Sequence, residues 1–192
     1  MGEQTFFIAI FSSAVIAGTP ILLAALGELV TERAGITNLG VEGMMLMGAV
    51  SGFMTAIVTG NSWLGLMAAM LAGGAMGLIH AALTVSLRAN QVVSGLALTL
   101  FGTGLSAYLG KAYIGIPVAE PFRTLPLPIL SDIPFFGPVL FRHDILVYLS
   151  WLLVLVLWLF LQRTRAGLHL KAIGANPGAA DSLGINVAGL RY

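Results

Sequence analysis

The feature that most constrains this chain is a succession of long stretches without charged side chains, separated by short polar segments. The first, Thr5–Leu29, carries only Glu28 near its end. At about 1.5 Å per helical residue, such a stretch crosses a hydrocarbon layer of about 30 Å with some tilt. Because backbone polar groups in lipid must pair within the protein, these stretches are expected to be helices. The predicted fold is therefore all-α, a polytopic transmembrane helix bundle.

Composition supports a membrane protein over a soluble one. Hydrophobic residues make up 58% of the 192 and charged residues 9%, whereas soluble domains hold about 25% charged residues. A net charge of +1 excludes a nucleic-acid surface, and the lack of cysteine excludes disulfides and thiolate metal sites. We expect membrane lipid around the chain, and neither nucleic acid nor metal as a partner.

About five spans are predicted over a single domain, residues 1–192. Further apolar stretches follow the first at Met44–Val58, Trp63–Leu87, Val92–Tyr113 and Ile145–Leu161. Residues 41–59 leave two possibilities open, because this segment could cross the membrane or re-enter it. If all five cross and the start lies outside, most of the basic residues fall on the cytoplasmic side, as the positive-inside rule requires: Arg33, Arg88, Arg163, Arg165 and Lys171.

Residues 114–143 differ from the rest in holding six of the eight prolines. Proline removes a backbone donor and interrupts helices, so this segment cannot continue a span. We predict an ordered, proline-rich extracytoplasmic loop, with room for a short surface helix. Its phenylalanines suit the membrane interface.

Four polar residues are candidates for a solute pathway: Asn38, Glu42, Ser94 and Thr99. If the helix starts at Leu39, Asn38 and Glu42 share one face. Ionisable groups at membrane depth usually face an interior cavity, although Glu42 is ordinary if it lies at the interface. Hydrogen bonds between helices are an equal alternative for the two hydroxyl groups. His80, inside the third span, is interpreted as a hydrogen-bonded packing residue.

Small residues recur four apart at Gly48 and Gly52 and again at Gly73 and Gly77. This spacing is typical of transmembrane helices that approach each other closely.

Residues 163–187 form the longest stretch that tolerates polar residues, and they contain the signals of a short helix. Asn176 suits the N-cap, Pro177 the first helical position, and Gly184 a left-handed stop. Gly178, Ala179 and Ala180 would present a face small enough for another protein's groove. The alternative is a basic loop that only orients the helices.

Together these motifs resemble the permease subunit of an ABC importer, in the nucleoside and simple-sugar branch related to branched-chain amino-acid and ribose permeases. The resemblance rests on GEL (27–29), ERAGITNLGVEGMML (32–46), ANQVVSGLA (89–97), AIGANP (172–177) and LGINV (183–187). It covers nearly the whole chain. Members of that family continue through further spans, so the chain resembles a permease truncated after this segment.

The resemblance implies that residues 163–187 are a cytoplasmic coupling loop whose helix fits a separate ATP-hydrolysing subunit. It assigns the coupling contact to Gly174, Asn176, Pro177, Ala180 and Gly184. It also implies a second permease subunit, an extracytoplasmic solute-binding lipoprotein and a place in a bacterial or archaeal plasma membrane. ATP would be bound by the partner and no cofactor by this chain, since Gly110-Lys111 lacks the rest of a phosphate-loop pattern. The chain would then be a transporter subunit and not an enzyme.

Three other functions remain open at this point. A branched-chain amino-acid permease would share the same fold and coupling loop. A passive channel or assembly subunit would not need a capped helix with small residues. An intramembrane serine protease would need a glycine two residues before its serine, which Ser51-Gly52 and Ser94-Gly95 lack. The inventory of hydroxyls, one amide and one carboxylate favours a largely uncharged solute. A nucleoside or a sugar fits it, as do several other solutes.

Overall fold

The computed structural model describes residues 2–118 and 120–192, so Ala119 of the predicted proline-rich loop lies outside the described residues. Among the described residues, five helices or helical runs are long and apolar enough to cross a membrane. The helices are α1 (Glu3–Arg33), α2 (Val41–Thr59), α3 (Ser62–Ala81), α4 (Gln91–Gly110) and α6 (Ile145–Arg163). The predicted all-α bundle is confirmed, and residues 41–59 form a helix of spanning length.

Shorter elements complete the chain. A π-helical turn, Ala82–Ser86, extends α3, and a 3-10 turn, Lys111–Tyr113, extends α4. Between α4 and α6 lie β1 (Thr124–Pro126), a 3-10 turn (Leu130–Asp132), α5 (Phe136–Leu140) and β2 (Arg142–Asp144). After α6 come α7 (Arg165–Ala175), α8 (Pro177–Ser182) and α9 (Val187–Arg191).

The proline-rich segment is more ordered than a plain loop. β1 and β2 pair antiparallel, with Thr124 opposite Asp144 and Pro126 opposite Arg142. The predicted break in helical structure and the short surface helix are both present. The two-stranded ribbon was not predicted, because three-residue strands between prolines carry no usable alternation of polar and apolar residues.

The chain divides into two compact units. One combines the residues up to Gly27 with Phe122–Phe160, and the other combines Glu28–Pro121 with Leu161–Tyr192. The second unit contains α2, α3, α4 and the three short helices after α6. It therefore contains all the predicted functional residues.

Polar caps fix where three spans begin. The Asn61 carboxamide oxygen accepts from the Trp63 N–H at 2.9 Å, and that of Asn90 accepts from the Val92 N–H at 3.0 Å. Asp144 accepts from the Leu146 N–H at 2.8 Å, as its position before the last span predicts. Each cap satisfies backbone donors that have no partner inside the helix.

Helices α2 and α3 pack through small residues. A Cβ built on Gly48 would lie 3.2 Å from the Ala69 carbonyl oxygen, and one on Gly52 would lie 3.0 Å from that of Gly65. Since the pairs 48/69 and 52/65 run in opposite directions, the two helices are antiparallel. The packing predicted for Gly48 and Gly52 is confirmed. A Cβ at Gly77 would meet nothing within 4 Å in the described part of the chain.

The closest approach of two spans joins α2 to α4. A Cβ at Gly43 would lie 2.4 Å from the Leu98 carbonyl oxygen, and a Cβ at Gly102 would lie 2.5 Å from that of Gly43. Neither distance is possible for real atoms, so both positions require glycine. In lipid such contact is the main attraction between helices, because the surrounding acyl chains are as apolar as the side chains.

This contact predicts a difference between two equal substitutions in α4. Gly102→Ala should destabilise the protein by about 1–3 kcal/mol, because the added methyl group forces α2 and α4 apart. Gly104→Ala, where a Cβ meets nothing within 4 Å, should be neutral or slightly stabilising, because alanine favours helix. Thermal unfolding of the purified protein in detergent compares them, and equal midpoints would contradict this account of the packing.

Candidate functional site

The candidate site is built around the segment Ala34–Gly40, which joins α1 to α2. Asn38 lies here, outside any helix, because α2 begins only at Val41 with Gly40 as its N-cap residue. The expectation that Asn38 and Glu42 share a helical face is therefore wrong. Asn38 is 8% exposed and its side-chain oxygen accepts from the Gly40 N–H at 2.9 Å. Two glycines that disfavour helix, Gly35 and Gly40, delay the start of α2.

Two side chains from neighbouring helices hold this segment. The Glu28 carboxylate accepts from the Asn38 N–H at 2.9 Å and from the Thr31 hydroxyl at 3.1 Å. The Gln91 side-chain amide oxygen, Oε1, accepts from the Thr37 N–H at 2.8 Å. Sequence reasoning assigned neither residue a role. The available signal was a polar side chain at the edge of an apolar stretch, where backbone groups without helical partners need acceptors.

Helix α4 packs directly on the same segment. A Cβ at Gly95 would lie 2.8 Å from the Leu39 amide nitrogen, so only glycine fits there. The Thr99 hydroxyl donates to the Leu39 carbonyl at 2.8 Å. The structure thus brings Asn38, Ser94 and Thr99 to one junction. The Thr99 hydroxyl bonds the non-helical segment, and the interhelical bond considered as an alternative is made by Ser94 to His80 of α3.

His80 of α3 lies against α4 at this level. Its Nδ1 is 3.3 Å from the Ser94 hydroxyl oxygen, and the ring is only 3% exposed. The prediction of a hydrogen-bonded packing histidine is confirmed. Its other nitrogen, Nε2, has no hydrogen-bond partner among the described residues.

A cavity of about 230 Å³ opens beside these groups. Its lining includes Thr31, Asn38, His80 and Tyr192, together with Gly74 and Gly77 of α3. Arg191 also lines it, so the cavity offers hydroxyl, amide, imidazole and guanidinium groups beside an apolar wall. No cluster of three or more acidic or histidine side chains in residues 2–118 and 120–192 could hold a metal ion.

Glu42 stands apart from this junction. It lies in the first turn of α2 and is exposed. A carboxylate there is favourably placed towards the positive end of the helix dipole.

The predicted short helix is present as α8, with the predicted boundaries. The Asn176 side-chain oxygen accepts from the Ala179 N–H at 3.0 Å, and Pro177 is the first helical residue. At the other end Gly184 has φ +78°, and the N–H groups of Gly184 and Ile185 donate to Asp181 and Ala180. This pair of bonds is a Schellman motif, which stops the helix.

Helix α7, directly before α8, was not predicted. Thr164 caps it by accepting from the Gly167 N–H at 3.0 Å, and its buried residues Gly167, Leu170 and Ile173 recur every three. That spacing marks one apolar helical face and was the available signal. The expectation of a single short helix in residues 163–187 was incomplete.

Gly174 and Ala180 lie inside this region and not on its outer surface. A Cβ at Gly174 would lie 2.3 Å from the Arg33 carbonyl oxygen, so glycine lets α7 touch the end of α1. Ala180 is 3% exposed, whereas Leu183 is 81% exposed. The methyl group of Ala180 is covered by the chain itself. The exposed residues of α8 are Pro177, Gly178, Ala179, Asp181 and Ser182, and Leu183 follows directly after the helix.

Helix α9 and the residue after it make two hydrogen bonds to earlier parts of the chain. Arg191 donates through Nε to the Ala34 carbonyl at 3.1 Å, and the Tyr192 hydroxyl is hydrogen-bonded to that of Ser86. We call α7, α8 and α9 the α7–α9 cluster. Through Gly174 and Arg191 it is fastened to the junction that also holds Asn38.

Residues 10–192 match the family described as the permease component of branched-chain amino acid transport systems. The chain belongs to this permease family. It is accordingly a multi-pass integral protein of the plasma membrane, as predicted.

Individual relatives in the permease family are named for sugars and nucleosides. The chain is 44% identical over 98% of its length to a candidate glucose ABC transporter permease of Haloferax volcanii, covering 58% of that protein. It is 36% identical to a guanosine ABC transporter permease of Bacillus subtilis and 34% to a nucleoside ABC transporter permease of Lactococcus lactis. In both cases 95% of this chain and 61% of the relative are covered.

The chain thus spans about three fifths of the length of these permeases. No solved structure matches it significantly.

The contact between α7 and α1 predicts a stability difference. Gly174→Ala should cost about 1–3 kcal/mol, because its methyl group would overlap the Arg33 carbonyl. The matched control is Gly178→Ala, whose Cβ would meet only Asn176 Oδ1 at an ordinary 3.6 Å. Thermal unfolding in detergent measures both. A Gly174→Ala protein as stable as Gly178→Ala would show that the close approach does not contribute.

Proposed function

We propose that this chain belongs to the permease subunit of an ABC importer and helps to form the pathway for a nucleoside or a simple sugar. The observation that carries the proposal is the match to the permease family over residues 10–192. Relatives named for glucose, guanosine and nucleosides support this solute class over branched-chain amino acids.

Helix α8 is the proposed contact with the ATP-binding subunit. It is short, capped at both ends and exposed along Pro177, Gly178 and Ala179. Small residues let a partner's groove close on the backbone, and Leu183, 81% exposed, offers an apolar anchor beside them. Asn176 and Gly184 contribute by fixing the helix ends. Gly174 and Ala180 contribute by packing the helix on the rest of the cluster.

Transport would follow from a two-state equilibrium. ATP closes the partner's dimer, α8 moves with it, and the spans open alternately to either side of the membrane. A displacement of α8 reaches α1 directly, because Gly174 touches Arg33 and Arg191 bonds Ala34. ATP belongs to the partner in this scheme, and the remaining partners are a second permease subunit and an extracytoplasmic solute-binding lipoprotein.

The proposed pathway uses the polar groups near the junction. Asn38, Ser94 and Thr99 supply an amide and hydroxyls, and Glu42 an exposed carboxylate at the start of α2. Hydroxyl-rich solutes exchange hydrogen bonds with such groups without needing a fixed charge. Asn38 and Thr99 now bond the backbone, and Ser94 bonds His80. Solute would have to displace those bonds in passing.

The coupling contact is tested by Leu183→Asp. Placing a charge on the exposed apolar anchor should weaken binding of the transporter's own ATP-binding subunit by about tenfold, equivalent to about 1.4 kcal/mol. Solute uptake should fall in parallel. The protein should still fold, because the Leu183 side chain is 81% exposed.

Ile114→Asp is the matched control, because Ile114 is also 81% exposed but lies at the end of the fourth span opposite to Asn90. Co-purification of the ATP-binding subunit and uptake into vesicles are measured for both variants. Equal recruitment and equal uptake by the Leu183→Asp protein would reject α8 as the coupling contact.

A further inference from the structure

The segment between β1 and β2 carries large apolar side chains on its surface. Ile129 is 85% exposed, Phe136 56%, Leu130 42% and Ile133 40%. Extracytoplasmic loops that project into water rarely present so many apolar groups together. The side chains therefore need a partner.

Contact with α1 fixes the depth of this segment. The uncharged stretch of α1 between Glu3 and Glu28 is roughly 36 Å long at about 1.5 Å per residue, about 6 Å longer than the hydrocarbon layer. Phe11 stands about 10 Å inside the N-terminal end of that stretch, and so lies within the hydrocarbon layer. The Phe135 ring packs edge-to-face on Phe11, with centroids 6.0 Å apart. Phe135 therefore packs beside a side chain at hydrocarbon depth.

The backbone of this segment suits entry into lipid, where unpaired polar groups are costly. Proline at positions 126, 128, 134 and 138 removes four backbone donors altogether. Most other amides donate to carbonyl groups inside the same segment: those of Leu127, Leu130, Ser131, Ile133, Phe136, Gly137 and Phe141. The buried His143 ring also bonds inward, from Nε2 to the Val139 carbonyl at 2.7 Å.

The polar side chains of the segment lie together, apart from its exposed apolar side chains. Arg142 and Asp132 form an ion pair at 3.7 Å with both side chains largely exposed. Together with Thr124 and Ser131 they line one open cavity of about 350 Å³. The segment is thus amphipathic, with a charged part and an aromatic part that continues from Phe11 through Phe135 to Phe136.

Two residues of the segment have an unfavourable backbone conformation. Ile129 and Phe135 have φ of +71° and +68°, a region that favours glycine. A β-branched or bulky side chain is unfavourable there. Both side chains are nonetheless large and apolar.

From these observations we propose that the exposed apolar side chains of the segment form a wedge inserted among the acyl chains of the leaflet that surrounds the N-terminal end of α1. The wedge consists of Ile129, Leu130, Ile133, Phe135 and Phe136. Its partner is lipid hydrocarbon. The ion pair between Arg142 and Asp132 stays at the water boundary, next to the start of α6 at Ile145. The proposal does not depend on the transported solute or on the coupling contact.

Single nitroxide labels test the wedge, because the chain has no native cysteine. Ile129→Cys and Phe136→Cys are labelled after reconstitution of the whole chain in phospholipid vesicles. Thr124→Cys provides the water-exposed control and Leu152→Cys, 54% exposed in the middle of α6, the lipid-exposed control. Spin relaxation is measured with oxygen, which concentrates in lipid, and with a water-soluble nickel chelate.

The labels at 129 and 136 should give the same ratio of oxygen to nickel relaxation as the label at Leu152→Cys, with oxygen dominant. The label at Thr124→Cys should instead be relaxed mainly by nickel. Relaxation dominated by nickel at 129 and 136 would overturn the proposal and place the segment in water. Protection from both reagents would also overturn it, because another protein or a second copy of the chain would then cover the surface. Two wedge positions guard against a local effect of either substitution.

Discussion

Close contact between backbones, made possible by missing side chains, is the interaction on which the rest of this structure depends. In lipid the hydrophobic effect does not draw spans together, so attraction must come from short-range packing and hydrogen bonds. Gly43 and Gly102 provide it between α2 and α4, and Gly52 and Gly65 between α2 and α3. Larger residues at these positions would separate the helices and remove most of that attraction.

Close backbone contact at glycine also links the spans of the second unit to the helices that follow α6. Gly174 lies against the Arg33 carbonyl, and a Cβ at Gly35 would lie 3.1 Å from Gly174 Cα. Glu28 and Gln91 then hold the intervening segment by its amides. A displacement of α8 would therefore be transmitted to the end of α1 and to the junction containing Asn38 through direct contacts and not through a flexible linker.

Sequence reasoning located what depends on local signals. Long apolar stretches gave the five spans, and Asn176, Pro177 and Gly184 gave α8, because caps act within a few residues of one another. It missed what depends on tertiary packing. Asn38 was placed on a helix that starts three residues later, and Ala180 was assigned to an outer surface although α7 and its neighbours cover it. The roles of Glu28 and Gln91 depend on partners in another part of the chain.

The central claim is that the α7–α9 cluster and the end of α1 move as one body. It is tested most directly by the distance between spin labels at Glu32→Cys and Ser182→Cys, both exposed positions in the second unit. The account predicts one narrow distance distribution that is the same with and without the ATP-binding subunit and ATP. A broad distribution, or a second distance that appears with nucleotide, would contradict it.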